Sequence, residues 1–328
     1  MTAFPGPRRF LLCRTDKLGD VLLALPAALL LRRRFPQAHL AFLVQPYTAP
    51  VARMLRGLDE VIVAGPDESS RALAGRLKEG QFDFAAALYP ERRLAGALRT
   101  AGIPFRAGIA YRWYSPSFTY RHREHRKHNL KHELEYNLSL VWTALGEAGR
   151  WEDTLAPEAI FPLPLELPEV PPLPPSPTRR IAIHPGGGGS AHRWPAEYFT
   201  RLAGRLGETT GRTVAVTGGP GEEALCRTVA DESGAENLGG RFDLPRLAAF
   251  YRECALVVTN STGPLHLARA VGAPVLGLFP AVHAMSPRRW GPYGQPDGFL
   301  VAPEGEGLDR LPVEAVLDRA RGLLERAP

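Results

Sequence analysis

Short apolar runs and longer amphipathic stretches take turns along this chain. In the first half, strand-like runs fall at 9–14, 39–44, 60–63, 83–88 and 105–109, with helix-like stretches at 20–34, 48–56, 69–79 and 91–100. A longer helix over 132–147 sets Leu134, Leu138, Val141, Trp142 and Leu145 at helical spacing. Residues 162–179 are too dense in proline for a helix or an interior strand, so an extended linker is expected there. The rhythm then restarts, with strands at 180–184, 213–217, 255–259 and 275–279 and helices at 195–207, 220–231, 244–251 and 264–271. A final amphipathic helix covers 311–326. Repeated strand–helix–strand order implies parallel sheets with helices on both faces. The predicted fold is therefore α/β: two Rossmann-like domains, residues 1–161 and 180–328, facing across a cleft.

The turns between these elements carry the candidate chemistry. Ala255–Val258 ends in Thr259-Asn260-Ser261-Thr262-Gly263, and Pro264 then opens a helix. Free N–H groups, a positive helix end and short donors at such a turn make an anion site, most often for phosphate. His266 lies in the helix's first turn; a bland alternative is that Ser261 and Thr262 merely cap it. A second loop, His184-Pro185-Gly186-Gly187-Gly188-Gly189-Ser190-Ala191-His192-Arg193, offers glycine N–H groups that can surround phosphate oxygens. It is no Walker loop, because no GK[ST] follows. Glu222 or Glu223, after TGGPG, is placed to accept ribose hydroxyls or to complement a helix dipole.

Near the start, RTDKLGD follows the first strand, and a loop at the carboxyl end of a parallel strand opens into the ligand crevice. Asp20 is a candidate general base there, or a cap for a helix beginning at Val21. Asp16 is a second carboxylate in the same loop, and Arg14 and Lys17 are candidate binders of acceptor or diphosphate. Arg112 to His132 packs basic residues among aromatics, as a solvated face or as an anion- or membrane-binding patch that includes Arg112, Arg121 and Arg123.

These stretches together resemble glycosyltransferase family 9, the heptosyltransferase-like enzymes. NSTGPLHLA…GAPVLGLFP is similar to its donor-nucleotide segment, IAIHPGGGGSAHRWPAEYF to its donor loop, and FLLCRTDKLGDVLLALP to its first strand–loop–helix. The resemblance implies a GT-B architecture, an N-terminal acceptor domain and a C-terminal nucleotide-sugar domain. It implies Asp20 as the base, and a single displacement with inversion that needs no metal or other cofactor. The implied donor is a nucleotide-diphosphate sugar of the ADP-heptose kind, held by Gly186, Gly187, Gly188, Ser190, His192, Arg193, Glu222, Asn260, Ser261, Thr262, Gly263 and His266. The implied acceptor is an anionic glycolipid such as a lipopolysaccharide core. Two positions depart from the family: His192 where Lys is usual, and Ser261 where Asp is usual. The second leaves the donor sugar open. A nucleotide-sugar epimerase of similar architecture and a non-catalytic glycan- or nucleic-acid-binding protein are the competing readings.

Composition narrows the setting. The 328 residues carry a formal net charge of +6, almost all of it on arginine, which suits acidic partners. No nucleic-acid module accompanies the basic segment, so nucleic acid is the weaker candidate. Three cysteines, two of them in apolar strand runs, suit buried free thiols in a reducing compartment. The longest apolar stretch, Val21–Leu31, is too short to cross a bilayer, and the start lacks a signal-peptide pattern. A cytoplasmic enzyme with peripheral membrane contact is the expectation.

Overall fold

The computed structural model describes residues 8–187, 192–304 and 307–326. The chain forms two compact units, one running through Ile160 with Pro164–Glu166 added, the other holding Phe161–Leu163 and the chain from Leu167. The short exchange is fixed by backbone hydrogen bonds. Leu163 N–H donates to Ala270 O within the second unit, and Glu166 N–H donates to Met54 O within the first, each at 2.8 Å.

The first unit has strands β1 (Arg9–Cys13), β2 (His39–Val44), β3 (Glu60–Val63), β4 (Phe84–Ala87), β5 (Phe105–Ile109) and β6 (Tyr120–His122). They pair in parallel in the order β3-β2-β1-β4-β5-β6. Its helices are α1 (Leu18–Leu22), α2 (Pro26–Arg34), α3 (Ala49–Arg53), α4 (Ser70–Glu79), α5 (Arg92–Thr100) and α6 (Glu133–Ala144).

The second unit repeats the plan with β7 (Ile181–His184), β8 (Val214–Gly218), β9 (Glu236–Gly239), β10 (Leu256–Asn260), β11 (Val275–Phe279) and β12 (Phe299–Val301). Their order is β12-β11-β10-β7-β8-β9, again all parallel. The helices are α7 (Ala196–Thr210), α8 (Glu223–Ser233), α9 (Leu244–Glu253), α10 (Gly263–Ala270), α11 (Pro287–Trp290) and α12 (Val313–Arg326).

Counted within its own unit, each sheet has the Rossmann order 3-2-1-4-5-6. The order reverses between β1 and β4, and again between β7 and β10. At such a switch point the connections leave in opposite directions and open a crevice at the carboxyl ends of the strands. Central strands such as β4, β7 and β10 are buried along their whole length. Helices cover them, with Leu77 and Leu98 packed near Leu11 and Ala85 in one core, and Phe199, Val229 and Leu317 near Ile183 and Val258 in the other. Each fully buried Leu, Val or Phe contributes about 1.5–3 kcal/mol relative to exposure.

The elements differ from expectation at several points, among them the short helix α11. The single helix expected over 20–34 is two, α1 and α2, because Pro26 has no N–H to continue the ladder and instead starts a new helix. Around it the bonds tighten to Ala27 N–H→Ala24 O (3.0 Å) and Ala28 N–H→Leu25 O (2.9 Å). Strands β6, β9 and β12 were not expected; each lies at the end of its sheet, is three or four residues long, and is only partly buried. An edge strand with one solvated side lacks the apolar run that marks a central one. β6 also brings order to the basic segment, where Phe118 packs over Gly108 so closely that a Cβ there would lie 2.4 Å from the ring.

Candidate active site

At the β1–β4 switch point, the chain leaves Cys13 and enters α1 at Leu18, so Asp20 lies within the first turn. The helix cap is Lys17, which makes no side-chain cap bond. Asp20 is therefore not a cap. Its Oδ1 accepts a hydrogen bond from Arg14 Nη2. Arg14 is 3% exposed and is the centre of the site. Its Nε and Nη2 grip Asp16 at 2.7 and 2.8 Å, and Nη1 reaches Glu133 Oε1 at 2.9 Å and Leu88 O at 3.0 Å.

Glu133, on α6, is fully buried and also accepts from Arg126 Nη1. Asn137, one turn on, accepts from Arg126 Nη2 at 3.1 Å and donates to Leu23 O at 3.1 Å. Three carboxylates and two guanidiniums thus share one half-buried knot. Burial pushes the Asp16 carboxyl up to about 6; Arg14 opposes the rise, and the like charges of Asp20 and Glu133 add to it. Burial also works against the Arg14 charge, but Asp16, Glu133 and Asp20 more than restore it. From the loop after β4, Glu91 accepts from Thr15 Oγ1 at 2.6 Å and ties that loop to the Asp20 loop.

At the β7–β10 switch point, Asn260 is fully buried and spends its amide on the neighbouring loop. Oδ1 accepts from Trp194 N–H at 3.0 Å, and Nδ2 donates to Pro185 O and Gly186 O at 3.0 and 3.2 Å. The next residues, Ser261, Thr262 and Gly263, are half-buried where α10 begins, with Thr262 at the cap position and Pro264 in the first turn. His266 is buried on the same helix.

Glu222 closes the other side. Its Oε1 accepts from Gly187 N–H at 2.9 Å and its Oε2 from Gly219 N–H at 2.8 Å, so one carboxylate clasps two loops. A Cβ at Gly186 would lie 2.2 Å from the Glu222 carboxyl, so a side chain there would displace that carboxylate from its clasp. His184 Nε2 lies 3.4 Å from Glu222 Oε2, while Nδ1 is 3.0 Å from Tyr251 Oη and 3.1 Å from Thr217 Oγ1. That pattern fits a proton on Nε2 and a hydroxyl donating to Nδ1. Burial would raise the Glu222 pKa, but His184 and the N–H groups of Gly219 and Gly187 outweigh it and hold it at about 2. Arg193 is exposed, and its Nη2 donates to Gly187 O at 2.6 Å; His192 beside it is exposed as well.

The structure thus interlocks Gly186, Gly187, Arg193, Glu222 and Asn260. Gly188 and Ser190 lie outside the described residues. Lys17, Arg112, Arg121 and Arg123 are exposed, whereas Arg14 is buried and commits its donors within the protein. Sequence reasoning did not single out Glu133, Arg126, Asn137, Tyr251 or the His184 side chain. An acidic residue in the first turn of a helix reads as a dipole partner, and only tertiary contact with Arg14, 119 residues away, gives Glu133 another meaning. Among the described residues no helix is long and apolar enough to cross a membrane.

Two parallel sheets of Rossmann order, with a small polar turn at one switch point and a buried-arginine carboxylate cluster at the other, place the chain among doubly wound α/β proteins, which bind ligands at such points. The family model of glycosyltransferase family 9 (heptosyltransferase) matches residues 70–310. A provisionally named glycosyltransferase of Haemophilus influenzae is 29% identical over 326 residues, covering 89% of this chain and 88% of that protein. Among solved structures, a glycosyl transferase family 9 protein from Veillonella parvula has a TM-score of 0.81 at 24% identity, covering 97% of each chain. Escherichia coli ADP-heptose lipopolysaccharide heptosyltransferase II gives 0.79 at 21% identity, covering 97% of this chain and 99% of that one. The chain belongs to glycosyltransferase family 9. It is a heptosyltransferase-like glycosyltransferase of GT-B architecture.

Proposed function

We propose that this enzyme is an inverting, metal-independent glycosyltransferase that moves a sugar from a nucleoside diphosphate to a hydroxyl of an anionic cell-surface glycan. The donor is of the ADP-heptose kind and the acceptor a lipopolysaccharide-core glycolipid, in line with the ADP-heptose lipopolysaccharide heptosyltransferase it resembles in fold. The observation that carries the reading is the Asp20 carboxylate, set at a switch point and held through one oxygen by buried Arg14. In the proposed step, Asp20 takes the proton of the acceptor hydroxyl as that oxygen attacks the anomeric carbon. The bond from that carbon to the diphosphate oxygen breaks, and the nucleoside diphosphate leaves with the electron pair. One base without a protein nucleophile gives a single displacement and inverted configuration.

The glycine loop and the Gly263 N–H at the start of α10 serve the diphosphate, with Ser261, Thr262 and His266 beside it. Arg193, always charged, balances the leaving group, and His192 adds to it when protonated. Glu222 has acceptor capacity beyond the two N–H groups it clasps, which suits ribose hydroxyls. Lys17, Arg112, Arg121 and Arg123 serve the acceptor or an anionic membrane face, and Arg14 orients Asp20. The setting proposed is cytoplasmic, peripheral at the inner membrane leaflet.

Replacing Asp20→Asn tests the reading. Turnover should fall by about 10²–10⁴-fold, the range for general acid–base catalysis, while ADP binding by calorimetry stays unchanged. Near-normal turnover of that variant refutes the base assignment.

A further inference from the structure

We propose that Asp16 and Glu133 are positioning residues for this reaction: they compete with Asp20 for the Arg14 guanidinium, so that Arg14 orients the base without neutralising it. The inference rests on the reading of Asp20 as the base. A carboxylate with a guanidinium to itself loses basicity, by about 1–3 pH units. Such a group would be a poor proton acceptor, since a base works best when its pKa is near the operating pH. Yet the base must be held still, and Arg14 is what holds it.

The geometry resolves that conflict by division. Arg14 gives Nε and part of Nη2 to Asp16, the rest of Nη2 to Asp20, and Nη1 to Glu133 and Leu88 O. Asn137 Oδ1 lies 3.3 Å from the same Nη1. The groups gathered around the Arg14 guanidinium come from several elements, and Lys17 lies at the cap of α1 in the same loop. Arg14 and Asp16 come from the loop after β1, and Glu133 comes from α6. Arg126, from the segment before α6, neutralises part of Glu133. Tyr89, after β4, lies with its ring 5.8 Å from the guanidinium carbon. Three carboxylates therefore share two guanidiniums. Burial is the main cause of the raised Asp16 carboxyl, and the like charges of Asp20 and Glu133 add to it.

The test is kcat/KM against pH for the wild type, Asp16→Asn, Asp16→Glu and Glu133→Gln, with Asp20→Asn alongside. Removing one competing charge should move the acid limb to lower pH by about one unit and lower the plateau, because Arg14 then belongs more fully to Asp20. ADP affinity should not change, and Asp16→Glu should restore the wild-type limb. A role limited to loop folding would lower the plateau without moving the limb. If the limb of Asp16→Asn stays where it is, or if its activity is lost and Asp16→Glu does not restore it, the proposal fails. Should Glu133→Gln not fold, Asp16→Asn alone decides. The base reading fails separately, if Asp20→Asn retains activity.

Discussion

The residue whose role the structure enlarges most is Glu222. Between strand and helix it reads as a ribose acceptor or a dipole partner, and both readings treat it as local. In the folded chain it joins the loop after β7 to the loop after β8, with His184, Tyr251 and Thr217 stacked behind it. A carboxyl held at about 2 in the fold, below its ordinary 4.5, stabilises the native state fully above pH 4.5. That contribution is lost as pH falls from 4.5 toward 2, where the folded form takes up its proton. Glu222→Gln sets an amide NH₂ against one of the glycine N–H groups and removes the titration. The variant should melt lower than the wild type at pH 7, and the gap should narrow as melts are repeated from pH 4.5 down to pH 3. A gap that is constant with pH would mean that the clasp does not depend on charge.

At the scale of the element, the turn from β10 into α10 is legible in the sequence. Apolar strand, small polar turn, proline at the helix start and a second apolar strand are local signals, each enforced by backbone chemistry. What they did not carry is that Asn260 faces inward. Its amide supports the glycine loop after β7 through three hydrogen bonds to main-chain atoms, all of them buried. Asn260→Ala would strand the Trp194 N–H and two carbonyls. Each buried polar group left unpaired costs about 1–3 kcal/mol. The urea midpoint should drop accordingly, and ADP affinity should fall with it; loss of affinity at an unchanged midpoint would instead mark Asn260 as a direct ligand contact. The weakly patterned elements behave in the opposite way: β6, β9 and β12 exist because a sheet edge recruits them.

At the scale of the whole molecule, the excess of six positive charges is concentrated where the fold exposes it. Arg112, Arg121 and Arg123 are exposed, Trp113 is 75% exposed with Arg92 stacked over its ring, and Leu130 is 63% exposed. Apolar and cationic groups together suit an anionic lipid or glycolipid face. Reversing the three arginines to Glu should weaken retention on phosphatidylglycerol vesicles, and retention by the wild type should fall with added salt. ADP affinity should not move. Equal retention of both proteins would restrict the segment to solvation.

The sequence by itself determined what depends on neighbours along the chain. Period-two and period-3.6 patterns set the central strands and most helices, proline density marked the segment over 162–179, and small polar turns located Asp20 and the Asn260 loop at strand ends. Those features follow from backbone sterics and capping, which act over a few residues. The tertiary structure decided which distant groups share a charge. Arg14 could be read as a ligand-binding cation until Glu133 and Arg126 closed around it, and His184 was one residue of a loop until Tyr251, 67 residues on, turned its hydroxyl to it. Electrostatic strength depends on separation and burial in three dimensions, and neither is encoded in the spacing of residues along a chain.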